Sequence, residues 1–437
     1  MTDRSPDRGR LIAGAIDTHF GEMMRLDLPA FRRKFRKMAA SPYAFYRGAA
    51  CLFYADMAGA FADTSYLDAE TSRVWIHGDL HAANFGTYMD SEGRLAFNVN
   101  DFDEAYIGPY LWDLKRFAAS VALIGQAKAL SDRAISQLVT VFAAGYLAEL
   151  RAMVQQPSAT GAITLGTAHG TIRRVLQQAQ LMTRTGMLAT FTEITDYRRR
   201  FIRDSHVFEV DAQAEVALRA AFERYLDTLP PSRTAHASEA KIKDLMLIKG
   251  AGIGSAGLPS YNVLLEGRTE ALENDIIVYL KLAQVPAVSA YVTDARIRDH
   301  FEHQGHRTAA AQRALQVHAD PWVGWAELNG AGQYVAEVSP YEADLNWDDL
   351  TEPAELTETV ADLARIVARM HGAADVDSAD PLVGFSAEQA ILRVVDGDDE
   401  GFTVLLNSFA REYAAQTRAD HQLFVDLFRN DELPGLS

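Results

Sequence analysis

The densest chemistry in this 437-residue chain lies in the run His77-Gly78-Asp79-Leu80-His81-Ala82-Ala83-Asn84. Asp79 and Asn84 stand in the pattern D-x-x-x-x-N, and Asn100-Asp101-Phe102-Asp103 follows downstream. Together they offer one carboxylate as a base, plus an amide oxygen and further carboxylates as hard oxygen donors. Mg²⁺ takes few protein oxygens and completes its shell with water and phosphate. In phosphoryl transfer a base orients the attacking hydroxyl, while an Asn and an Asp hold the metal on the nucleotide phosphates. The pattern matches a kinase catalytic loop followed by a D-F-G-like element. Asp79 is therefore the candidate base, and Asn84 and Asp101 are candidate metal ligands. Asp103 either shares the metal or caps the turn. His77 and His81 read as scaffold of the loop. Asp113, at a predicted helix start, reads as an anchor for backbone N–H groups of that loop. Lys115 and Arg116 lie on the surface or pair with it.

A second motif lies far downstream. Gly250-Ala-Gly252-Ile-Gly254-Ser255-Ala-Gly257 contains G-x-G-x-x-G. A dinucleotide-binding fold requires a helix directly after such a loop. Here an alternating strand from Tyr261 to Glu266 follows instead. Strand, glycine loop, strand is the arrangement in which backbone N–H groups cover nucleotide phosphates. Gly252, Gly254, Ser255 and Gly257 are the candidate phosphate contacts. The next strand, Ile276 to Lys281, ends in the lysine that would pair the α- and β-phosphates. Such a lysine wants a carboxylate on the following helix. Glu302 has that chemistry, and Gln312 lies deeper in the same helix.

The elements that position these residues change character along the chain. Residues 1–60 read as helices. A short strand, Val74 to His77, precedes the catalytic loop, and a turn at 89–93 leads into a second strand, 95–100. Trp112 to Leu150 is helical with a break near Ser131, and helix continues between the loops at 155–167 and 229–237. Strands are predicted at 242–250, 261–267, 276–282, 322–328 and 333–338, with a helix at about 294–318. Helix returns from Glu352 onward. The fold class is α+β. The predicted division is a large helical lobe over 1–238, a β-rich nucleotide lobe over 239–345, and the remainder of the large lobe over 346–437. The segment 155–235 is expected to shape the acceptor pocket.

Composition narrows the partners. Forty-two Lys and Arg against 59 Asp and Glu give a net charge of −17, which repels nucleic acid and anionic membranes unless a local basic patch intervenes. Arg32, Arg33, Lys34, Arg36 and Lys37 form one such cluster, read here as a solvated helix face. The single cysteine, Cys51, precludes an internal disulfide and a Cys₄ or Cys₂His₂ zinc site. No run of 18 apolar residues occurs and the apolar stretch 11–16 is too short for a signal peptide, so a cytoplasmic protein without membrane contact is expected.

The runs HGDLHAANFG, NDFDEAYIGPYLWDLKR, FYRG (Phe45 to Gly48), GIGSAG and the Lys281 strand resemble a bacterial domain-of-unknown-function family, number 2252. That family resembles the protein-kinase-like, aminoglycoside-phosphotransferase-like superfamily. The resemblance implies a two-lobed kinase-like fold, with Asp79 as base and Asn84 and Asp101 as metal ligands. The glycine loop and lysine come after the catalytic loop rather than before it, and the helix 363–371 looks like the one that ordinarily leads into that loop. A circular permutation accounts for both. The expected activity is ATP- and Mg²⁺-dependent phosphoryl transfer to the hydroxyl of a small molecule. A protein kinase or an AMP-transferase acting on protein, a nucleotide-binding pseudokinase, and a two-metal phosphoesterase built on His77-x-Asp79-x-His81 and Asp17-x-His19 are the alternatives.

Overall fold

The computed structural model describes residues 5–156, 161–203, 207–230, 241–248, 260–378 and 380–435. The fold is α+β. Its first part contains helices α1 (Ser5–Leu26), α2 (Leu28–Met38), α3 (Pro42–Gly48) and α4 (Ala50–Met57). Strands β1 (Val74–Ile76), β2 (Phe85–Met89), β3 (Leu95–Val99) and β4 (Tyr106–Gly108) follow, then α5 (Tyr110–Ala127) and α6 (Asp132–Gln155). Next come β5 (Ile163–Thr164), α7 (Gly170–Gln180), α8 (Arg184–Phe191), β6 (Thr192–Thr195), β7 (Arg198–Phe201), β8 (Val207–Phe208) and α9 (Ala212–Leu226). The β-rich part holds β9 (Ile242–Ile248), β10 (Ser260–Leu265), β11 (Ile276–Leu282), α10 (Ala295–Arg298), α11 (Gln304–Leu315), β12 (Gly324–Leu328) and β13 (Ala331–Glu337). The chain ends in α12 (Pro353–His371), α13 (Ala387–Val395) and α14 (Asp399–Arg429).

Two short antiparallel ladders set up the site. β1 pairs with β4 so that Ile76 faces Tyr106, and β2 pairs with β3 so that Phe85 faces Val99. The loops 77–84 and 100–105 are thus the two spans that join one ladder to the other, so they must lie side by side. Gly78 is where they touch. Its φ is +76°, and a Cβ there would fall 2.0 Å from the carbonyl oxygen of Glu104. Only glycine supplies both the left-handed backbone and the missing side chain.

The six-stranded antiparallel sheet has the order β12-β13-β11-β10-β9-β8. Side chains alternate across a strand. Val278 and Leu280 therefore join a core with Leu245, Val263 and Val335, against Leu218, Ala221, Phe222 and Tyr225 of α9. Tyr279 and Lys281 take the opposite face, where Lys281 sits across from Tyr334. The apolar residues of α9 recur at i, i+3, i+4 and i+7, which gives a single buried stripe. This packing moves the boundary expected at residue 239. α9 covers the sheet, and Leu188 of α8 and Phe201 of β7 pack on Met246, Leu264 and Ile277. The unit built on the sheet therefore begins near α8. Its short strands β6, β7 and β8 fall in a segment expected to be helical.

The helical part is held by one large apolar core that includes α1, α4, α5, α6, α12 and α14. α6 is long and apolar enough to cross a membrane, yet Ile135, Leu138, Phe142, Tyr146 and Leu150 on one of its faces are buried in that core.

Gly78→Ala should lower stability by about 2–4 kcal/mol through backbone strain and the clash with Glu104. Urea unfolding measures this directly. A loss below about 0.5 kcal/mol would mean that the two loops separate at little cost.

Candidate active site

Asp113 carries the loop. Fully buried at the start of α5, it leaves its own helix uncapped and accepts from the backbone N–H of His77 (2.6 Å) and of Gly78 (3.1 Å). His371, at the end of α12, approaches the same carboxylate (3.3 Å) and is itself held by the Tyr146 hydroxyl (2.9 Å). The Gly78 carbonyl accepts from Tyr54. His77 spends its Nε2 on the carbonyl of Asn100 (2.7 Å), which ties the first loop to the second. His77 and Asp113 thus tie this loop to the second loop and to the start of α5. Lys115 turns away to Asp63 (3.3 Å).

Asp79 meets Arg116. The guanidinium is fully buried, and its Nε and Nη2 both approach Oδ1 of Asp79. It lies over the rings of Tyr46 (4.4 Å) and Phe53 (5.1 Å) and donates to the Tyr46 carbonyl (3.1 Å). Arg116 is thus locked to the Phe45–Gly48 run and fixes one oxygen of Asp79. The other oxygen lies 3.7 Å from Nε2 of His81. Burial pushes the Asp79 carboxyl up to about 7, against the downward pull of Arg116. Burial, with Arg47 and Arg116 nearby, holds His81 well below its ordinary value, so its imidazole is neutral. Asn84 is buried and donates its side-chain amide to the Asp79 carbonyl (3.0 Å), leaving the amide oxygen as the atom it can offer a ligand.

Asp101 adopts a left-handed backbone with φ of +60°. Non-glycine residues held there are strained, and such strain gathers at functional sites. Its side chain is open to the cleft while protein encloses it. That enclosure and the neighbouring Asp103 raise its carboxyl. Asp103 forms an ion pair with Lys281 of β11, which lies 178 residues away in sequence. Burial and the two cleft carboxylates Asp103 and Asp101 surround the Lys281 ammonium, which stays charged. The expectation that Glu302 pairs this lysine is corrected. Glu302 is exposed before α11, and Asp103 is the partner. Gln312 lines the same cavity, but its amide is taken up by Tyr334 and Gln316. Gly252, Gly254, Ser255 and Gly257 lie outside the described residues.

Two adjoining cavities result. One of about 190 Å³ is lined by Asp79, His81, Asp101 and Asp103 together with residues of α1–α3. The other, about 140 Å³, is lined by Asp101, Asp103, Lys281, Gln312 and Glu342. The walls beside Asp79 thus come from residues 19–50, not from the segment 155–235 expected to form them. Larger cavities lie along α1 (about 800 Å³) and against α14 (about 570 Å³), but neither includes Asp79, Asp101 or Lys281.

Two features had no counterpart in the sequence reading. Arg307, fully buried on α11, donates to the carbonyls of Ala105 (2.6 Å), Asp103 (2.8 Å) and Gln284 (3.0 Å), so it clamps the second loop to the end of β11. The segment after β13 docks on β2 through Thr87 to Ala343 (3.0 Å) and Leu345 to Phe85 (3.0 Å). It carries Glu342 and Asp344 to the cleft, where Asp344 accepts from Asn100 (2.8 Å). Burial raises Glu342, with Asp344 and Asp101 adding to it. A separate acidic group, Asp375, Asp377 and Glu388, lies outside both cavities. Its Asp375 carboxylate is engaged by the N–H groups of Asp377 and Ala387.

Asp113→Ala would leave two buried N–H groups without an acceptor, at about 1–3 kcal/mol each. Denaturant unfolding should show a loss of about 2–5 kcal/mol. Amide exchange at His77 and Gly78 should accelerate more than at the core of α5. Unchanged exchange at those two amides would contradict the anchoring role.

The sequence model of a bacterial family, DUF2252, described as "uncharacterized protein conserved in bacteria", matches residues 27–427. No curated protein matches the chain, and no solved structure does. The match takes in both loops, Arg116, Lys281, Arg307 and the α12 histidine that meets Asp113, so the chain belongs to the DUF2252 family.

Proposed function

We propose that this protein is an ATP- and Mg²⁺-dependent phosphotransferase acting on a hydroxyl group of a small molecule, on a circularly permuted, two-lobed kinase-like fold. The observation that carries the reading is the Lys281–Asp103 ion pair. It joins the end of a sheet strand to the loop beside Asp79 and sets a cation, a metal-type carboxylate pair and a candidate base along one cleft.

The donor set suits a magnesium nucleotide. Asp103 stands close enough to raise the Asp101 carboxyl while Lys281 holds Asp103 itself down, and Glu342 and Asp344 add further carboxylates. Crowded carboxylates of this kind are relieved by a hard divalent cation. Bound Mg²⁺ would neutralise phosphate charge as it develops. Asp101 and Asn84 would hold it, and Lys281 would pair the α- and β-phosphates. Asp79, fixed on one oxygen by Arg116, presents its other oxygen to the acceptor. The acceptor oxygen bonds to the γ-phosphorus, the bond from that phosphorus to the β–γ bridging oxygen breaks, and ADP leaves. The hydroxyl proton goes to Asp79. Positioning and charge compensation supply most of the acceleration.

In this reading α12 stands where a kinase chain would enter its catalytic loop. His371 at its end touches Asp113, which holds that loop. The phosphoesterase alternative finds less support, since His77 spends Nε2 on a backbone carbonyl and His81 is enclosed beside Arg116 and Arg47.

ADP formation from ATP in a pool of hydroxyl compounds tests the reading. Asp79→Asn should slow it by about 10²–10⁴-fold while leaving ATP affinity within about threefold of wild type. Full activity in Asp79→Asn would remove the assigned base.

A further inference from the structure

The cavity beside Asp79 has an unusual charge inventory. Its acidic residues are mostly spoken for. Asp79 is paired with Arg116, Asp103 with Lys281, and Glu104 accepts from the N–H of Ala287 (2.6 Å) and faces His19 (3.5 Å). Its basic residues are not. Lys34 and Lys37, one turn apart on α2, and Arg47 on α3 line the same cavity. None of the three forms an ion pair among the described residues.

Lys34 is the informative one. It is 9% exposed, rests over the ring of Phe20 at 4.1 Å and is part of the cavity wall. Among the described residues its ammonium forms no ion pair, and burial lowers its pKa even though Glu104, Asp79 and Asp101 pull it the other way from a distance, so the site lacks a close anion. Lys37 and Arg47 are exposed and line the same cavity as Asp79. The cluster 32–37, expected to be a solvated helix face, is therefore divided. Arg33 and Arg36 are exposed and outside the cavity, whereas Lys34 and Lys37 face into it.

We propose that the acceptor is a hydroxylated organic anion, whose phosphate or carboxylate is held by Lys34, Lys37 and Arg47 while its hydroxyl lies on Asp79. The hydroxyl part of this statement rests on the phosphotransferase reading; the anion site does not. Arg offers a planar fork and Lys a point charge, a combination that suits a multi-oxygen anion. A cavity of about 190 Å³ suits a compact acceptor.

The test is calorimetric titration of the full chain with inorganic phosphate, and separately with acetate, without nucleotide or metal. Wild type should bind at least one of the two saturably. Lys34→Met and Arg47→Met should each weaken that binding about tenfold or more, with unchanged affinity for ATP in the presence of Mg²⁺. Without anion, Lys34→Met should unfold at or above the wild-type temperature, since it removes a buried cation whose desolvation outweighs the pull of the carboxylates around it. Equal binding by wild type and both variants, or no binding by wild type, overturns the proposal. So does a parallel loss of ATP affinity, which would give these cations to the nucleotide instead.

Matched acceptor pairs, a sugar against its phosphate and an alcohol against its hydroxy acid, then separate the two claims. ADP release stimulated by the anionic members supports both. Release stimulated only by neutral members overturns the anion proposal and leaves the transferase intact. Anion binding as described, with no ADP release and no ATP binding, overturns the transferase reading and leaves the anion site standing.

Discussion

Everything in the cleft depends on how Asp103 is held. Its carboxylate meets Lys281, and its backbone carbonyl accepts from Arg307. Through these two cations the loop after β3 is fastened both to the sheet and to the helix that packs on the sheet. The adjoining Asp101 is left in a left-handed conformation with its carboxylate open to the cleft. A single side chain with one ion-pair partner and one backbone clamp thereby orients a neighbour that forms no ion pair of its own among the described residues, though it too lies in the field of Lys281. Charge-assisted contacts of this kind are short and directional, and in a partly dry cleft they hold geometry better than apolar contacts do.

The opposite wall follows the same logic with different parts. Arg116 is buried with its carboxylate partner and two aromatic rings, and the loop that carries Asp79 hangs from Asp113 by two backbone N–H groups. A buried ion pair of this sort is weak evidence for stability, since desolvation offsets much of the attraction. What it secures is orientation: one oxygen of Asp79 is fixed and the other is directed away from the guanidinium. Lys34, Lys37 and Arg47 of α2 and α3 stand in contrast: none forms an ion pair among the described residues, and of the three only Lys34 is buried.

Much of this was legible in the sequence where the signal was local. The β-branched apolar run from Ile276 placed Lys281 at a strand end, the break at Ser131 separated α5 from α6, and the apolar run from Val74 ended at Gly78. What was not legible depended on tertiary contact. Arg307 looks like any helix arginine until its three carbonyl acceptors are in place. Lys34 is one of five basic residues in six positions, and only the packing of Phe20 against α2 shows which is buried. Glu342 and Asp344 lie in an irregular segment whose docking on β2 no periodicity announces. The strands β6 to β8 are two to four residues long, too short for a strand pattern to compete with helical composition. Residue type and distance suggested Glu302 as the partner of Lys281, but the nearer carboxylate came from a loop 178 residues upstream.

The most direct measurement is ATP binding by calorimetry with and without Mg²⁺, on wild type and on Asp101→Ala. The account predicts binding that requires the metal and that Asp101→Ala weakens by about tenfold or more, as loss of a metal ligand should. No binding at about millimolar ATP, or binding indifferent both to Mg²⁺ and to the substitution, would contradict it.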